Sequence, residues 1–300
     1  MKKLIITLFL LGLVMPAQAK TINVVTTTTD LKSITEYIGK EKVEVYSLGK
    51  GNQNYHFLSA KPSYMVKAKK ANLFIVNGLD LEIGYVSLIL EGSRNPNIQA
   101  GRKGYLDASE GIARLKVPDK VDRSMGDIHP GGNPHYWIDP LNAKIIASNI
   151  AGRLSEIAPQ DASLFKDNLG KFNRRIDDKM KDWTNLLAPY KGEKLISYHQ
   201  SWIYFANRFG FEIIGELEPK PGVPPSPTHL KSIVDLVNTQ KVKEILNENI
   251  YKDDAARYVA ERTGAKVVTA PISVGGVKEA KDYFSLMDVI VRNVAKGFQR

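Results

Sequence analysis

Residues 1–19 (MKKLIITLFLLGLVMPAQA) begin with two lysines near the start and run on through an apolar stretch from Leu4 to Met15. That stretch is too short to span a bilayer comfortably. Pro16 breaks it, and Ala17-Gln18-Ala19 supplies a small-x-small cleavage pattern, so the segment reads as a cleavable export signal. Beyond it, short β-rich runs alternate with helical periodicities. Residues 21–28 (TINVVTTT) are largely β-branched and predict a buried strand. Asp30 then caps a helix reaching about Ile38, residues 43–48 (VEVYSL) form a second strand, 61–70 a helix and 72–76 (NLFIV) a third strand. Strand–helix–strand alternation with short connections predicts parallel βαβ units.

The middle of the chain changes character. Residues 141–157 have apolar positions at helical spacing, and Pro159 ends that helix. From 162 to 187 the apolar positions Phe165, Leu169, Phe172, Ile176, Met180 and Trp183 recur every three to four residues, which predicts one helix of roughly 40 Å at 1.5 Å per residue. The βα pattern then restarts, with strands over 194–198, 211–217, 242–247 and 265–269 and helices between them, the third ended by Gly264. Five prolines within 219–227 (PKPGVPPSP) predict a stiff, extended loop. A last helix runs from about 281 to 296. The fold class is therefore α/β: two βα lobes with parallel sheets linked by one long rigid helix. The expected boundaries are a signal over 1–19, an N-terminal lobe over 20–158, the linking helix over 159–190 and a C-terminal lobe over 191–300. Ligands of such proteins sit between the lobes, at the C-terminal ends of the strands.

Composition narrows the choices. The chain has 300 residues, 43% hydrophobic and 25% charged, which is ordinary for a globular protein. The net charge of +10 comes without any dense Lys/Arg run, so we read it as solubility and expect no nucleic-acid partner. There is no cysteine. This excludes disulfides, a thiolate nucleophile, cysteine-bound zinc and iron–sulfur clusters, and it argues against a lipoprotein. The glycines match neither a dinucleotide nor a Walker fingerprint, and there is no G-x-S-x-G elbow.

Histidine carries the remaining chemistry. A histidine met at random is most often a surface or packed residue. Three of the five stand where a βα lobe presents its loops: His56 after the second strand, His135 in GGNPHYWIDP, and His199 at the end of a strand in ISYHQSW. Two come from the first lobe and one from the second, so a cleft between lobes would join them. Three imidazoles suit zinc, copper, iron or nickel, although the separations in sequence match no local zinc motif. His129 is read as a surface residue, with a transient metal contact as the alternative, and His229 as a capping or packing residue.

The segments NYHFLSAKPSYMVKAKKANLFIVNGLDLE, GNPHYWIDP, SYHQSWIYFANRFG and AERTGAKVV, taken in order, resemble the metal-binding solute receptors of bacterial zinc and manganese ABC importers. The resemblance runs from about Ile22 to the last helix. It implies a metal site at His56, His135 and His199, with histidine at the third position pointing to Zn²⁺ rather than Mn²⁺ or Fe²⁺ as transported ligand. It implies a membrane permease as partner, a periplasmic monomer and no catalysis. The family's acidic fourth ligand is missing: Ile272 stands about where an Asp is expected, and Glu248, at the end of its strand, is the substitute candidate. An open fourth position also fits a zinc-dependent hydrolase or lyase, and a metal-free adhesin could use the same fold.

Overall fold

The computed structural model describes residues 21–120, 126 and 129–299; the expected signal lies outside them. The first half contains β1 (Ile22–Thr26), α1 (Thr29–Gly39), β2 (Val43–Ser47), α2 (Pro62–Lys69), β3 (Leu73–Val76), α3 (Val86–Ser93), β4 (Tyr105–Asp107) and α4 (Pro140–Ile157). The linking helix is α5 (Ala162–Leu187). The second half contains β5 (Lys194–Ser197), α6 (Ile203–Phe209), β6 (Glu212–Glu216), α7 (Pro227–Gln240), β7 (Glu244–Glu248), α8 (Asp254–Thr263), β8 (Lys266–Ala270) and α9 (Tyr283–Phe298). The sheets have orders β2-β1-β3-β4 and β6-β5-β7-β8, and every pairing is parallel. All strands of a sheet therefore end on the same edge, and the loops that follow them share one rim. In each sheet the first strand in sequence lies between the second and third, the arrangement that opens a crevice at the strand ends.

Sequence periodicity located most of these elements. It missed α3, a helix of only eight residues, and β4, three residues long. The cap of α1 also differs from expectation. Thr28 accepts the Leu31 N–H at 3.2 Å, while Asp30 is buried in the first turn and accepts the Val274 N–H from the other half at 2.9 Å. The proline-rich loop is not extended throughout, because Lys220 and Val223 bridge across a tight turn.

The two halves share one core. A single buried cluster runs from Val24 and Ile34 through Ile146, Phe172 and Trp183 to Val268, Met287 and Ile290, and smaller clusters lie on the outer face of each sheet. Helix α5 buries Phe165, Phe172, Ile176, Trp183 and Leu187 on one stripe and is tied to α9 where Asp288 accepts from Trp183 Nε1 at 2.8 Å and from Lys179 Nζ at 2.9 Å. Polar contacts add to this between the halves. Arg208 donates to both oxygens of buried Asp139, at 2.7 and 2.9 Å. Trp137 Nε1 donates to the Ile272 carbonyl at 2.7 Å, and Tyr283 Oη to the Trp137 carbonyl at 2.6 Å.

Glu244 breaks the pattern of satisfied buried groups. It is fully buried in β7, neither carboxylate oxygen has a hydrogen-bond partner among the described residues, and Gly297 leaves just enough room beside it. Burial pushes its pKa up to about 9. An acid whose folded pKa is raised binds more protons in the native than in the unfolded state, so its contribution to stability is full below about pH 4.5 and is lost as pH rises toward 9. Glu244→Gln should therefore raise stability at pH 8 by at least about 1 kcal/mol and change it little at pH 5. Urea unfolding at the two pH values checks this; equal shifts at both would disprove it.

Candidate metal centre

The rim of strand ends gathers the candidate residues. His56 sits on a single 3-10 turn (Tyr55–Phe57) in the loop after β2, where Asn54 Oδ1 accepts its N–H at 3.0 Å. Asn54 Nδ2 in turn donates to Tyr251 Oη across the cleft at 3.1 Å. His135 ends the Gly-Gly-Asn-Pro turn ahead of α4. Asn133 Oδ1 accepts its backbone N–H at 2.9 Å and faces its Nδ1 at 3.2 Å, while Asn133 Nδ2 donates to the Gln200 carbonyl at 2.7 Å. His199 follows β5, and its Nδ1 lies 2.7 Å from Glu218 Oε2. An oxygen that only accepts at Nδ1 fixes the proton there, so His135 and His199 present Nε2 as the lone-pair nitrogen.

The structure brings His56, His135 and His199 together. One nitrogen from each lies within 4.8 Å of the others, and the Nε2 atoms of His56 and His135 are 3.2 Å apart. Ring centroids are separated by 5.1, 5.4 and 5.1 Å. Nitrogens bound at 2.0–2.1 Å to one tetrahedral ion stand about 3.3 Å apart, so the pair is spaced for shared coordination. All three rings are nearly buried. Burial first, then the neighbouring His199, His56 and His129, holds the His135 pKa well below the usual histidine range, keeping it neutral and ready to donate.

Glu248 does not join this cluster. It is fully buried at the end of β7 and its Oε1 accepts the His199 backbone N–H at 3.3 Å; burial raises its pKa to about 7. Ile272 is buried beside the rings, lining a cavity of about 10 Å³ with Trp137, Ile250 and Tyr251. On that side there is room for about one water-sized group. On the other side a cavity of about 310 Å³ is lined by Lys116, His129, Asn133, His135, His199 and Gln200. His129 is thus not the surface residue expected: it is half-buried, with its ring centroid 4.9 Å from that of His56. His229 packs as expected, with Nε2 donating to the Glu216 carbonyl at 2.9 Å.

Sequence reading missed Glu218, which is 7% exposed and also accepts the Gly222 N–H at 3.2 Å. Its signal is an acid two residues beyond β6. Recognising it requires the strand order, because β5 lies between β6 and β7 and His199 is therefore flanked by an acid on each side.

Parallel α/β halves on a common core, with a preformed imidazole cluster in the cleft, define a two-lobed binding protein. The comparisons make this specific. Residues 24–297 match the family described as "Zinc-uptake complex component A periplasmic", and the chain belongs to this ZnuA family of substrate-binding proteins of metal ABC transporters. It is 25% identical over 293 residues to the manganese ABC transporter substrate-binding lipoprotein PsaA of Streptococcus mitis, covering 95% of this chain and 91% of that one. It is 26% identical over 286 residues to the iron-binding protein YfeA of Yersinia pestis, covering 93% and 87%. A crystal structure of ZnuA superimposes with a TM-score of 0.79 at 22% identity, covering 93% of this chain and all (100%) of that one.

Glu218 supplies a carboxylate behind a candidate ligand, an arrangement that fixes the ring and raises its basicity. Glu218→Ala should weaken metal binding about 10- to 100-fold, and Glu218→Gln, which keeps an acceptor without the charge, should weaken it less. Chelator competition on both variants checks this ranking; unchanged affinity in Glu218→Ala would refute it.

Proposed function

We propose that this chain captures one divalent transition-metal ion through His56, His135 and His199 and delivers it to the membrane permease of an ABC importer. Zn²⁺ is its cargo in preference to Mn²⁺ or Fe²⁺. The observation that carries this reading is the donor cluster itself, three nitrogens already spaced for one ion and no carboxylate among them. Manganese favours oxygen donors and higher coordination, whereas zinc accepts a compact tetrahedral nitrogen set. The apolar wall of Trp137, Ile250 and Ile272 leaves little space for extra ligands, which also favours zinc. The relatives' names divide among manganese, iron and zinc, so the choice rests on these residues.

The working place is the periplasm, entered by the export signal at residues 1–19, and the working form is a monomer. The streptococcal relatives are named lipoproteins, but this sequence has no cysteine to carry a thioether-linked lipid. The relatives carry the names of transport proteins, which favours carriage over hydrolysis. The shared core and the polar contacts between halves support release by local loop movement at the permease rather than by wide lobe opening.

Chelator-stripped protein should bind one Zn²⁺ per chain with sub-micromolar affinity in competition with a chromophoric chelator. Alanine at His56, His135 or His199 should each weaken binding by at least about 100-fold, given that each loses one of few donors. Ile272→Asp should strengthen Mn²⁺ binding about tenfold or more, through an added oxygen donor. Weak, multi-site zinc binding that survives the alanine substitutions would sink the proposal.

A further inference from the structure

We propose that His129 supplies a fourth imidazole to the captured ion, so that the cargo is held by four histidine nitrogens and no carboxylate. This rests on the reading of His56, His135 and His199 as ligands.

A fourth donor has few routes to the cluster. On one side, Ile272 and Trp137 close the wall with apolar surface. Glu248 is turned toward the His199 backbone and Glu218 is engaged by His199 Nδ1. The open approach is the larger cavity, and His129 lines it together with His135 and His199. Its ring lies 4.9 Å from that of His56, a separation comparable with the 5.1–5.4 Å among the three clustered rings. Its Nε2 atom is shielded from solvent.

The backbone that follows His129 is also fixed. Its carbonyl accepts the Gly132 N–H at 3.0 Å, closing a turn in which Gly132 takes φ +103°, a conformation that a side chain would resist. Asn133 N–H then donates to the Leu115 carbonyl at 2.8 Å and Asn133 Nδ2 to the Gln200 carbonyl. One clamped turn thus carries His129 at its start and leads into His135, and it aims both rings into the same cavity. His129 stands beside His56 rather than within the group of mutually close nitrogens; coordination requires its ring to move toward the ion.

The chemical consequence is a closed sphere. A zinc ion with three protein ligands keeps an exchangeable water, the arrangement of catalytic sites, whereas four protein ligands make a holding site. A fourth imidazole would suit a carrier, and the carboxylate of Glu218, acting through His199, would offset part of the ion's charge.

The test is X-ray absorption of the zinc-loaded full mature chain, which counts imidazoles through their outer-shell scattering, paired with the visible d–d spectrum of the Co²⁺-loaded protein. Four imidazoles are expected in the wild type and three in His129→Ala, with zinc affinity reduced about 10- to 100-fold and the apo melting temperature unchanged within about 2 °C. His129→Gln, similar in polarity but a poor ligand, should behave like His129→Ala and guards against a folding effect. Three imidazoles in the wild type, or an unchanged count and affinity in His129→Ala, would overturn this inference while leaving the proposed function standing. A wild type that binds no zinc would overturn both.

Discussion

Three imidazole rings turned toward one another gain nothing from their own company. Their nitrogens lose water on burial, the Nε2 atoms of His56 and His135 stand 3.2 Å apart, and a second proton on His135 is disfavoured by burial and by the neighbouring rings. Such an arrangement exists in an apoprotein only if the rest of the molecule imposes it. Here the imposition is traceable. Each ring comes from a different loop, and the sheets that carry those loops meet over one apolar core. Asn54 holds the backbone of His56, Asn133 and Glu218 hold the rings of His135 and His199, and the two asparagines also reach across the cleft, to Tyr251 and the Gln200 carbonyl. The Asp139–Arg208 pair, the Trp137–Ile272 contact and the clasp of Asp30 on Val274 hold the halves that carry them. The core thus fixes the histidine cluster, and the long helix is one part of that.

How much of this the sequence discloses depends on whether the information is local. The long helix was legible residue for residue, because a stripe repeated over seven turns has no competing reading. The positions of the strands other than β4 were legible to within a residue or two. The histidines at 56, 135 and 199 stood out because each follows a recognisable strand or turn. What stayed hidden depends on adjacency between distant segments. Glu218 matters only because β6 lies next to β5, and the order of strands in a sheet is not written in any one of them. Glu248 was found at the end of its strand, but the direction its carboxylate takes is set by the His199 backbone. His129 read as a loop residue because a Gly/Pro-rich segment gives no sign of where its ends are pinned. Asp30 read as a cap because its partner, Val274, is 244 residues away.

The placement of acids around the site bears on what it selects. A dication among neutral imidazoles in a buried cleft needs negative charge nearby. The chain places carboxyl groups one residue out from the cluster: Glu218 on the ring of His199, and Glu248, whose pKa burial raises to about 7, on its backbone. Moving the acids back keeps electrostatic compensation while leaving the inner positions to nitrogen. Oxygen donors in direct contact would admit manganese as readily as zinc, and a nitrogen-only inner set discriminates by geometry and by the covalency of the metal–imidazole bond. Ile272, the apparent defect of the site, fits the same logic. A side chain without a donor at that point seals the small cavity with apolar surface and makes any fourth ligand approach from the opposite side. On the proposed reading, an apolar side chain at this point would favour zinc over manganese.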